Sequence, residues 1–272
     1  MGKGKREKSP PKRSQQPLIK ELSLKGCYKH MTKPRLSTGD VLFDEFLQGG
    51  YEIDVISTIF GPSGSGKTNL CLISLVATIK AGKKVIFIDT EGGFSLSRLE
   101  QIAPDFRTFL DNILILKPTN FQEQKRAFEK LQQVVDDRVG LIIVDGVSML
   151  YRLELGKTDD VYHVNRELGQ QIGMLTEIAR KKDIPILLTN QVYSSFDEQD
   201  KVNMVGGDIL KYGSKCLLEL EKLHSSKRRI LIKKHRSLPE GRALVFDIVQ
   251  EGMRTGETYE KPVQSSAPPP HE

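Results

Sequence analysis

Cysteine is scarce in this chain, and the three cysteines stand apart from one another. Cys27, Cys71 and Cys216 form no C-x-x-C pair, and their number is odd. This spacing argues against a disulfide framework or a zinc site and indicates reduced thiols inside a cell. No apolar run reaches the length of a membrane span, and no apolar segment follows the basic N-terminus as it does in a secretory signal. We therefore expect a cytoplasmic protein with no membrane association.

Aliphatic side chains are missing or sparse at the two ends of the 272-residue chain. Residues 1–17 have none after Met1, and residues 253–272 are rich in Pro, Ser and Glu. Such segments cannot bury enough apolar surface to fold, so both are predicted to be disordered tails. The residues between them, 18–252, are long enough for one compact domain.

Acidic residues are nearly absent from the N-terminal tail, although the whole chain is close to balanced. Residues 1–13 hold six basic side chains against Glu7 alone, so this segment carries +5 of the formal net charge of +6. A strong attraction to a polyanion would therefore come from this tail or from a local patch, and not from the body. A solubilising extension explains the same composition equally well.

Apolar strand-like runs alternate with helical patterns through the body. This alternation predicts an α/β fold with a mainly parallel sheet that is covered by helices on both faces. Strands are predicted at residues 55–60, 85–89, 113–116, 141–145 and 186–190, and helices at 69–80, 95–102, 120–135 and 161–182. Three shorter strands follow, at 216–220, 229–233 and 244–248. They are predicted to extend the sheet in antiparallel fashion.

The segment 61–68 matches the phosphate-loop pattern G-x-x-x-x-G-K-[ST] at every fixed position. It reads Gly61, Pro62, Ser63, Gly64, Ser65, Gly66, Lys67 and Thr68. Its glycines let backbone N–H groups surround a phosphate, and the following helix presents its positive dipole end to the anion. Lys67 is predicted to reach the β- and γ-phosphates of a nucleoside triphosphate, and Thr68 to hold Mg²⁺. The strand before the loop and the helix after it argue against a chance Gly/Ser loop.

Polar residues end three of the predicted strands, at the edge that should face the ligand. Asp145 is predicted to order water around the Mg²⁺, although many strands end in Asp merely to cap a turn. Glu91 is a candidate general base that polarises an attacking water, with a helix-entry carboxylate as the alternative. Gln191 is a candidate sensor of the γ-phosphate, and a plain polar strand end is equally consistent with it.

Taken in order, these motifs resemble the ATPase core of the RecA/RadA recombinase family. The resemblance covers about residues 30–252, and within the family the chain resembles the short archaeal paralogues. It rests on the motifs at residues 35–39, 61–68, 89–92, 141–145, 190–192, 206–208 and 238–240, together with Arg98, Tyr151 and Arg152.

The resemblance implies roles that the composition does not show. Glu91 would be the catalytic glutamate of a weak ATPase, and Arg98 would pack on the adenine of ATP. Residues 151–161, with Arg152 and Lys157, and residues 192–208 would be two DNA-facing loops.

Neighbouring subunits sandwich the nucleotide in this family, so a homo-oligomer is implied. The segment Lys234-His235-Arg236 is similar to the K-x-R finger of KaiC-like proteins. Lys234 and Arg236 would then place positive charge on a neighbour's γ-phosphate. A solvated basic strand end is the alternative.

The chain also departs from the recombinases, and we expect no strand exchange of its own. The residues before Arg35 are too few and too polar for the helix-hairpin-helix domain, and no Phe-x-x-Ala polymerisation motif precedes the core. Residues 192–208 carry four carboxylates against Lys201 alone, a net charge of −3. Such an acidic loop binds the phosphate backbone of DNA poorly, and the absence of tryptophan limits base stacking.

DNA, single-stranded or branched, is therefore expected to contact the turn Lys227-Arg228-Arg229, the strand with Lys233 and Lys234, and the N-terminal tail. A basic hairpin that is merely solvated is the alternative. We expect an ATP-binding protein that assists the main recombinase or a junction-processing nuclease in homologous recombination and DNA repair. Two alternatives remain: a KaiC-type signalling or assembly ATPase without a DNA role, and a nucleotide-gated interaction module in which hydrolysis is incidental.

Overall fold

A computed structural model describes residues 34–194, 202–224 and 226–260. The predicted N-terminal tail, the predicted domain start at residue 18 and residues 195–201 of the second predicted DNA-facing loop lie outside these ranges. So do residues 261–272 of the predicted C-terminal tail.

The described ranges contain α-helices and strands that alternate along the chain. The helices are α1 (Val41–Phe46), α2 (Lys67–Lys80), α3 (Leu96–Ile102), α4 (Phe121–Val134), α5 (Met149–Leu155), α6 (Val161–Lys182) and α7 (Gly207–Gly213), with a 3₁₀ segment at Phe106–Asn112. The strands are β1 (Arg35–Leu36), β2 (Tyr51–Glu52), β3 (Ile56–Gly61), β4 (Lys84–Asp89), β5 (Ile113–Leu116), β6 (Val139–Asp145), β7 (Ile186–Ser194), β8 (Val202–Met204), β9 (Cys216–Lys222), β10 (Lys227–His235), β11 (Ala243–Val249) and β12 (Gly252–Glu260).

One large sheet dominates these ranges, with the strand order β12-β11-β10-β9-β3-β7-β6-β4-β5. The strands from β9 to β5 in this order run parallel, and β10, β11 and β12 are antiparallel to their neighbours. The predicted α/β fold is confirmed, including its antiparallel C-terminal part. Of the three short strands, β9 differs from the prediction because its pairing with β3 is parallel.

The central strands are apolar throughout because both faces of the sheet are covered. Every residue of β3 is buried, as is nearly all of β6. One apolar cluster lies on the side of α2, and a second packs under α4 and α6. Asn120 caps α4, since its side chain accepts a hydrogen bond from the backbone N–H of Glu123.

The predicted C-terminal boundary at residue 252 is wrong for residues 253–260, which belong to β12. This strand pairs with β11 through Phe246↔Thr255 and Ile248↔Met253. It lies at the edge of the sheet, where main-chain hydrogen bonds hold it, so its sequence reads as polar. The first predicted DNA-facing loop begins inside α5, and its contact with DNA stays a prediction.

Strand register brings the carboxyl ends of the parallel strands to one edge. Gly61 at the end of β3 lies beside Gln191 of β7, and Asp89 at the end of β4 lies beside Asp145 of β6. The loops that follow these strands therefore share one crevice, which is where open parallel sheets bind ligands.

Candidate nucleotide-binding site

The phosphate loop connects β3 to α2 through glycines in left-handed conformations. Gly64 has φ of 68° and Gly66, immediately before α2, has φ of 104°. Only glycine adopts such angles without strain. No side chain caps the start of α2, so the N–H groups of its first turn are available to an anion, as in known phosphate-binding helices.

Lys67 folds back across this loop. Its Nζ donates to the carbonyl oxygens of Gly61 at 2.9 Å and Pro62 at 3.0 Å. Burial lowers the pKa of Lys67, and the nearby carboxylates of Glu91 and Asp145 oppose that effect. A phosphate in the loop would offer charged acceptors in place of two neutral carbonyls. The arrangement of Lys67 therefore fits a nucleotide.

Asp145 is buried at the end of β6 and is held by two hydroxyls. Its Oδ2 accepts from Thr68 at 2.8 Å, and its Oδ1 accepts from Thr189 at 2.6 Å. Burial raises the pKa of Asp145, while these two hydrogen bonds work in the opposite direction. The hydroxyl of Thr189 also accepts from the N–H of Gly146 at 2.7 Å. Sequence reasoning did not identify Thr189 as a site residue. The pattern that could have indicated it is a hydroxyl-bearing residue inside the apolar run of β7.

The loop after β4 closes over Thr68 and Asp145. A β-carbon on Gly93 would lie only 2.9 Å from Oδ2 of Asp145 and 3.4 Å from Oγ1 of Thr68. Asp89 fixes this approach, because its carboxylate accepts the N–H groups of Gly93 at 3.0 Å and Phe94 at 3.2 Å. The hydroxyl and carboxylate oxygens of Thr68 and Asp145 are the hard ligands that Mg²⁺ prefers. These two residues therefore fit the predicted Mg²⁺ site.

Glu91 and Gln191 face each other at this edge of the sheet. Nε2 of Gln191 donates to Oε2 of Glu91 at 2.9 Å. Gly146, with φ of 86°, packs behind the glutamate, and a β-carbon there would lie 2.4 Å from Cγ of Glu91. The structure thus brings together Lys67, Thr68, Glu91, Asp145 and Gln191 around one crevice.

Arg98 connects α3 to α2 and to the turn between β11 and β12. Its guanidinium donates to Oδ1 of Asn69 at 2.8 Å, and to the carbonyls of Val249 at 2.7 Å, Gln250 at 2.9 Å and Gly252 at 3.1 Å. Burial lowers the pKa of Arg98. Its predicted stacking on adenine stays a prediction.

Strands of the antiparallel region form a wall beside the phosphate loop. A β-carbon on Gly61 would lie 2.2 Å from the carbonyl oxygen of Leu220, and one on Gly66 would lie 2.6 Å from Cδ1 of Ile248. Two glycines of the loop therefore also serve close packing. This contact could not be predicted from local patterns, because it depends on the register of distant strands.

Lys234 and Arg236 both have partners within the chain. Nζ of Lys234 donates to the carbonyls of Lys211 at 2.7 Å and Ser214 at 2.9 Å, and burial lowers its pKa. Arg236 pairs with Glu52 at 2.6 Å and with Asp54 at 3.2 Å. They lie near the end of β10 opposite to Arg228, so the structure does not join them to the crevice of their own chain.

The predicted DNA contacts in the described part of the chain lie on or beside α5 and at the start of β10. Arg152 is exposed on α5, and Lys157 lies 3.4 Å from Glu154. In the basic turn, Lys227 is exposed and Arg229 pairs with Glu221 at 2.6 Å. The third residue of the turn, Arg228, reaches the phosphate loop instead, where Nη2 lies 3.5 Å from the carbonyl oxygen of Gly64.

Among the described residues, no helix combines the length and the apolar character that a membrane span requires.

Comparison with known proteins agrees with this geometry. Residues 30–255 match the Rad51 family model. The chain is 42% identical over 217 residues to the DNA repair and recombination protein RadB of Methanobrevibacter smithii, covering 77% of this chain and 92% of that protein. It is 44% identical over 212 residues to the protein of the same name from Methanococcoides burtonii, covering 78% and 93%.

Among solved structures, a crystal structure of the RadB recombinase superposes with a TM-score of 0.69. It is 35% identical in sequence, and the match covers 80% of this chain and 98% of that one. The resemblance to the short archaeal recombinase paralogues is confirmed.

Proposed function

The chain belongs to the Rad51 family, and on that premise we propose that it binds and slowly hydrolyses ATP, binds DNA and assists homologous recombination and DNA repair in the cytoplasm. One observation carries the nucleotide part of this proposal. The phosphate loop, Thr68, Asp145, Glu91 and Gln191 converge on one crevice at the carboxyl ends of β3, β4, β6 and β7.

Each residue of the crevice has a distinct task in this proposal. Lys67 exchanges its carbonyl partners for phosphate oxygens, and the uncapped start of α2 faces the same anion. Thr68 and Asp145 hold Mg²⁺, which neutralises phosphate charge when it is bound. Glu91 orients the attacking water and accepts its proton. Turnover is slow because Gln191 holds Glu91 in a hydrogen bond that must open or rotate first.

Gln191 also connects the crevice to the acidic segment 192–208. Its carbonyl oxygen accepts the N–H of Val205 at 3.2 Å, and the side chain of Asn190 donates to the carbonyl of Val205 at 2.8 Å. A change at the Glu91–Gln191 hydrogen bond would therefore act on this segment through β7. We propose that the nucleotide works as a switch for DNA or for a protein partner, and not as a motor.

The proposed nucleic-acid ligand is single-stranded or branched DNA, contacted by Arg152, Lys157, Lys227, Arg229 and the tail 1–17. The proposed protein partners are the main recombinase and a junction-processing nuclease. In a homo-oligomer, Lys234 and Arg236 would have to leave their partners within the chain, among them Glu52 and Asp54, to reach a neighbour's nucleotide.

A second function has one observation in its favour. Lys157 and Arg229, two of the predicted DNA contacts, already have acidic partners. This pairing suits a KaiC-type signalling or assembly ATPase with no DNA role.

One experiment separates these functions: ATP turnover of the full chain with and without single-stranded DNA, beside a filter-binding titration with salt. We expect slow turnover that DNA changes little, and DNA binding that weakens steeply as salt rises. Hexamers in ATP without any DNA binding would overturn the recombination proposal in favour of the signalling ATPase. A strong stimulation of ATP turnover by DNA would contradict the proposal that the nucleotide works as a switch.

A further inference from the structure

Two basic side chains from the antiparallel strands reach the phosphate loop of their own chain. Nζ of Lys222, at the end of β9, lies 3.1 Å from the position that a β-carbon on Gly64 would occupy. Nη2 of Arg228, at the start of β10, lies 3.5 Å from the carbonyl oxygen of Gly64. Neither contact belongs to the set of phosphate-loop residues that the sequence pattern identifies.

Lys222 and Arg228 are also directly opposite each other in the register of β9 and β10. Like charges at such positions destabilise a sheet. The adjacent pair in the same register is Glu221 and Arg229, which carry opposite charges and form an ion pair of 2.6 Å. One pair on this hairpin is therefore neutral, while the pair beside the phosphate loop carries two positive charges.

No carboxylate in the described part of the chain compensates these two charges. Arg228 donates to the carbonyls of Ser226 at 3.1 Å and Lys227 at 3.0 Å, and its Nε is shielded from solvent without a hydrogen-bond partner. Lys222 is exposed and close enough to Lys67 to lower the pKa of that amine by repulsion. Three cations thus surround a loop whose own N–H groups already favour an anion.

We propose that Lys222 and Arg228 bind the phosphate chain of the nucleoside triphosphate held by the phosphate loop of the same chain. This inference rests on the proposed function, since it requires that the loop binds ATP. The triphosphate supplies the missing negative charge between the two strands. These contacts would also link β9 and β10 to the nucleotide, so that nucleotide binding in the phosphate loop would affect the antiparallel strands. Arg228 is then a nucleotide contact and not a DNA contact.

The experiment compares the full-length wild type with the variants Lys222→Gln and Arg228→Gln by calorimetric titration with ATP and Mg²⁺. Each variant should bind ATP about tenfold more weakly, because each loses one charge-assisted hydrogen bond to phosphate. Lys222→Arg keeps the charge and should retain wild-type affinity. Lys130→Gln removes an equal charge from an exposed site on α4 and should bind ATP as the wild type does.

Thermal unfolding without nucleotide supplies a readout that a merely structural role would not give. Both Gln variants should unfold at or above the wild-type Tm, because a like-charge contact is removed. ATP affinities within twofold of wild type in both variants would overturn the inference while leaving the proposed function intact. A loss of single-stranded DNA binding with unchanged ATP binding would also overturn it. Failure of the wild type to bind ATP would overturn the proposed function itself, and the inference with it.

Discussion

The hydroxyl of Thr68 donates to the carboxylate of Asp145 across 2.8 Å, which joins the first turn of α2 to the end of β6. The two residues are 77 positions apart in the sequence. Strand register and helix position therefore determine this pair, and each side chain can be tested by itself.

Replacing Asp145 by Asn should abolish Mg²⁺-dependent ATP binding while keeping the protein folded. The amide still accepts a hydrogen bond from a hydroxyl, but it lacks the charge that a divalent cation requires. We expect ATP affinity in Mg²⁺ to fall about 100-fold. Calorimetric titration with Mg²⁺–ATP measures the loss, and wild-type affinity in the variant would exclude Asp145 from the site.

The same variant should reveal how stability of the nucleotide-free protein depends on pH. Burial raises the pKa of Asp145 in the folded state. A carboxyl whose folded pKa lies above its unfolded value, about 3.9, contributes less stability as pH rises from that value through the folded pKa. The Tm of Asp145→Asn minus the Tm of the wild type should therefore increase across this pH interval and stay constant at higher pH. A Tm difference that decreases with rising pH would contradict the raised pKa of Asp145.

Lys67→Ala and Glu91→Gln should separate binding from hydrolysis. Lys67→Ala should lose ATP affinity, whereas Glu91→Gln should keep it and lose turnover about 100-fold, the usual effect of removing a general base. Single-turnover hydrolysis beside a binding titration distinguishes the two. If Glu91→Gln keeps full activity in a repair assay while Lys67→Ala has none, hydrolysis is incidental and the protein is a nucleotide-gated interaction module.

Gly146→Ala should impair catalysis without touching the phosphate loop. The new methyl group would lie 2.4 Å from Cγ of Glu91, so the glutamate must move. We expect a fall in kcat of at least about tenfold, with a smaller change in KM. Gly82→Ala is the matched control, since Gly82 also has a positive φ, of 79°, and nothing lies within 4 Å of a β-carbon there. The control carries the same left-handed backbone strain before the start of β4, away from the crevice, and should keep kcat. Equal kcat in both variants would contradict the role of Gly146.

Arg236 can be tested in mixtures of two inactive chains. Arg236→Gln keeps a complete phosphate loop, and Lys67→Ala keeps Arg236. If the finger acts across a subunit boundary, mixing the two chains should restore up to about a quarter of wild-type turnover by random pairing. Each variant alone should stay inactive at every concentration. If mixing restores no ATP turnover and Arg236→Gln has a lower Tm than the wild type, Arg236 has only a structural role, through its ion pairs with Glu52 and Asp54.

Removal of residues 1–13 should lower the salt dependence of DNA binding. This segment carries a net charge of +5, and each phosphate contact on a single strand contributes about 0.7 to the slope of log K against log salt. We expect the slope to fall by up to about 3 in a filter-binding titration. Neutralising Lys227 and Arg229 in the truncated chain should lower it further. If the slope is unchanged in the truncated chain and in its neutralised variant, neither residues 1–13 nor Lys227 and Arg229 contact DNA.

Local patterns in the sequence were enough to predict the parallel strands and the phosphate loop. Buried strands such as β6 are apolar at almost every position, and the loop needs glycine and lysine at fixed intervals. The edge strand β12 could not be predicted in this way, because main-chain pairing holds it. The partners of Arg229 and Arg236 were equally hidden, because they depend on strand register and on contacts between distant segments. For the same reason no local pattern in the sequence marks Lys222.

The side chain of Asn69 in α2 donates to the carbonyl oxygen of Gly252 at 3.0 Å, over a separation of 183 residues. Contacts of such long range form late, because a large loop must close first. During synthesis, a chain that has emerged only as far as β7 holds the phosphate loop, Asp145 and Gln191, yet it lacks the wall from β9 to β12. Full nucleotide affinity is therefore expected to arise only as the last strands dock, so ATP would stabilise finished molecules in preference to nascent ones.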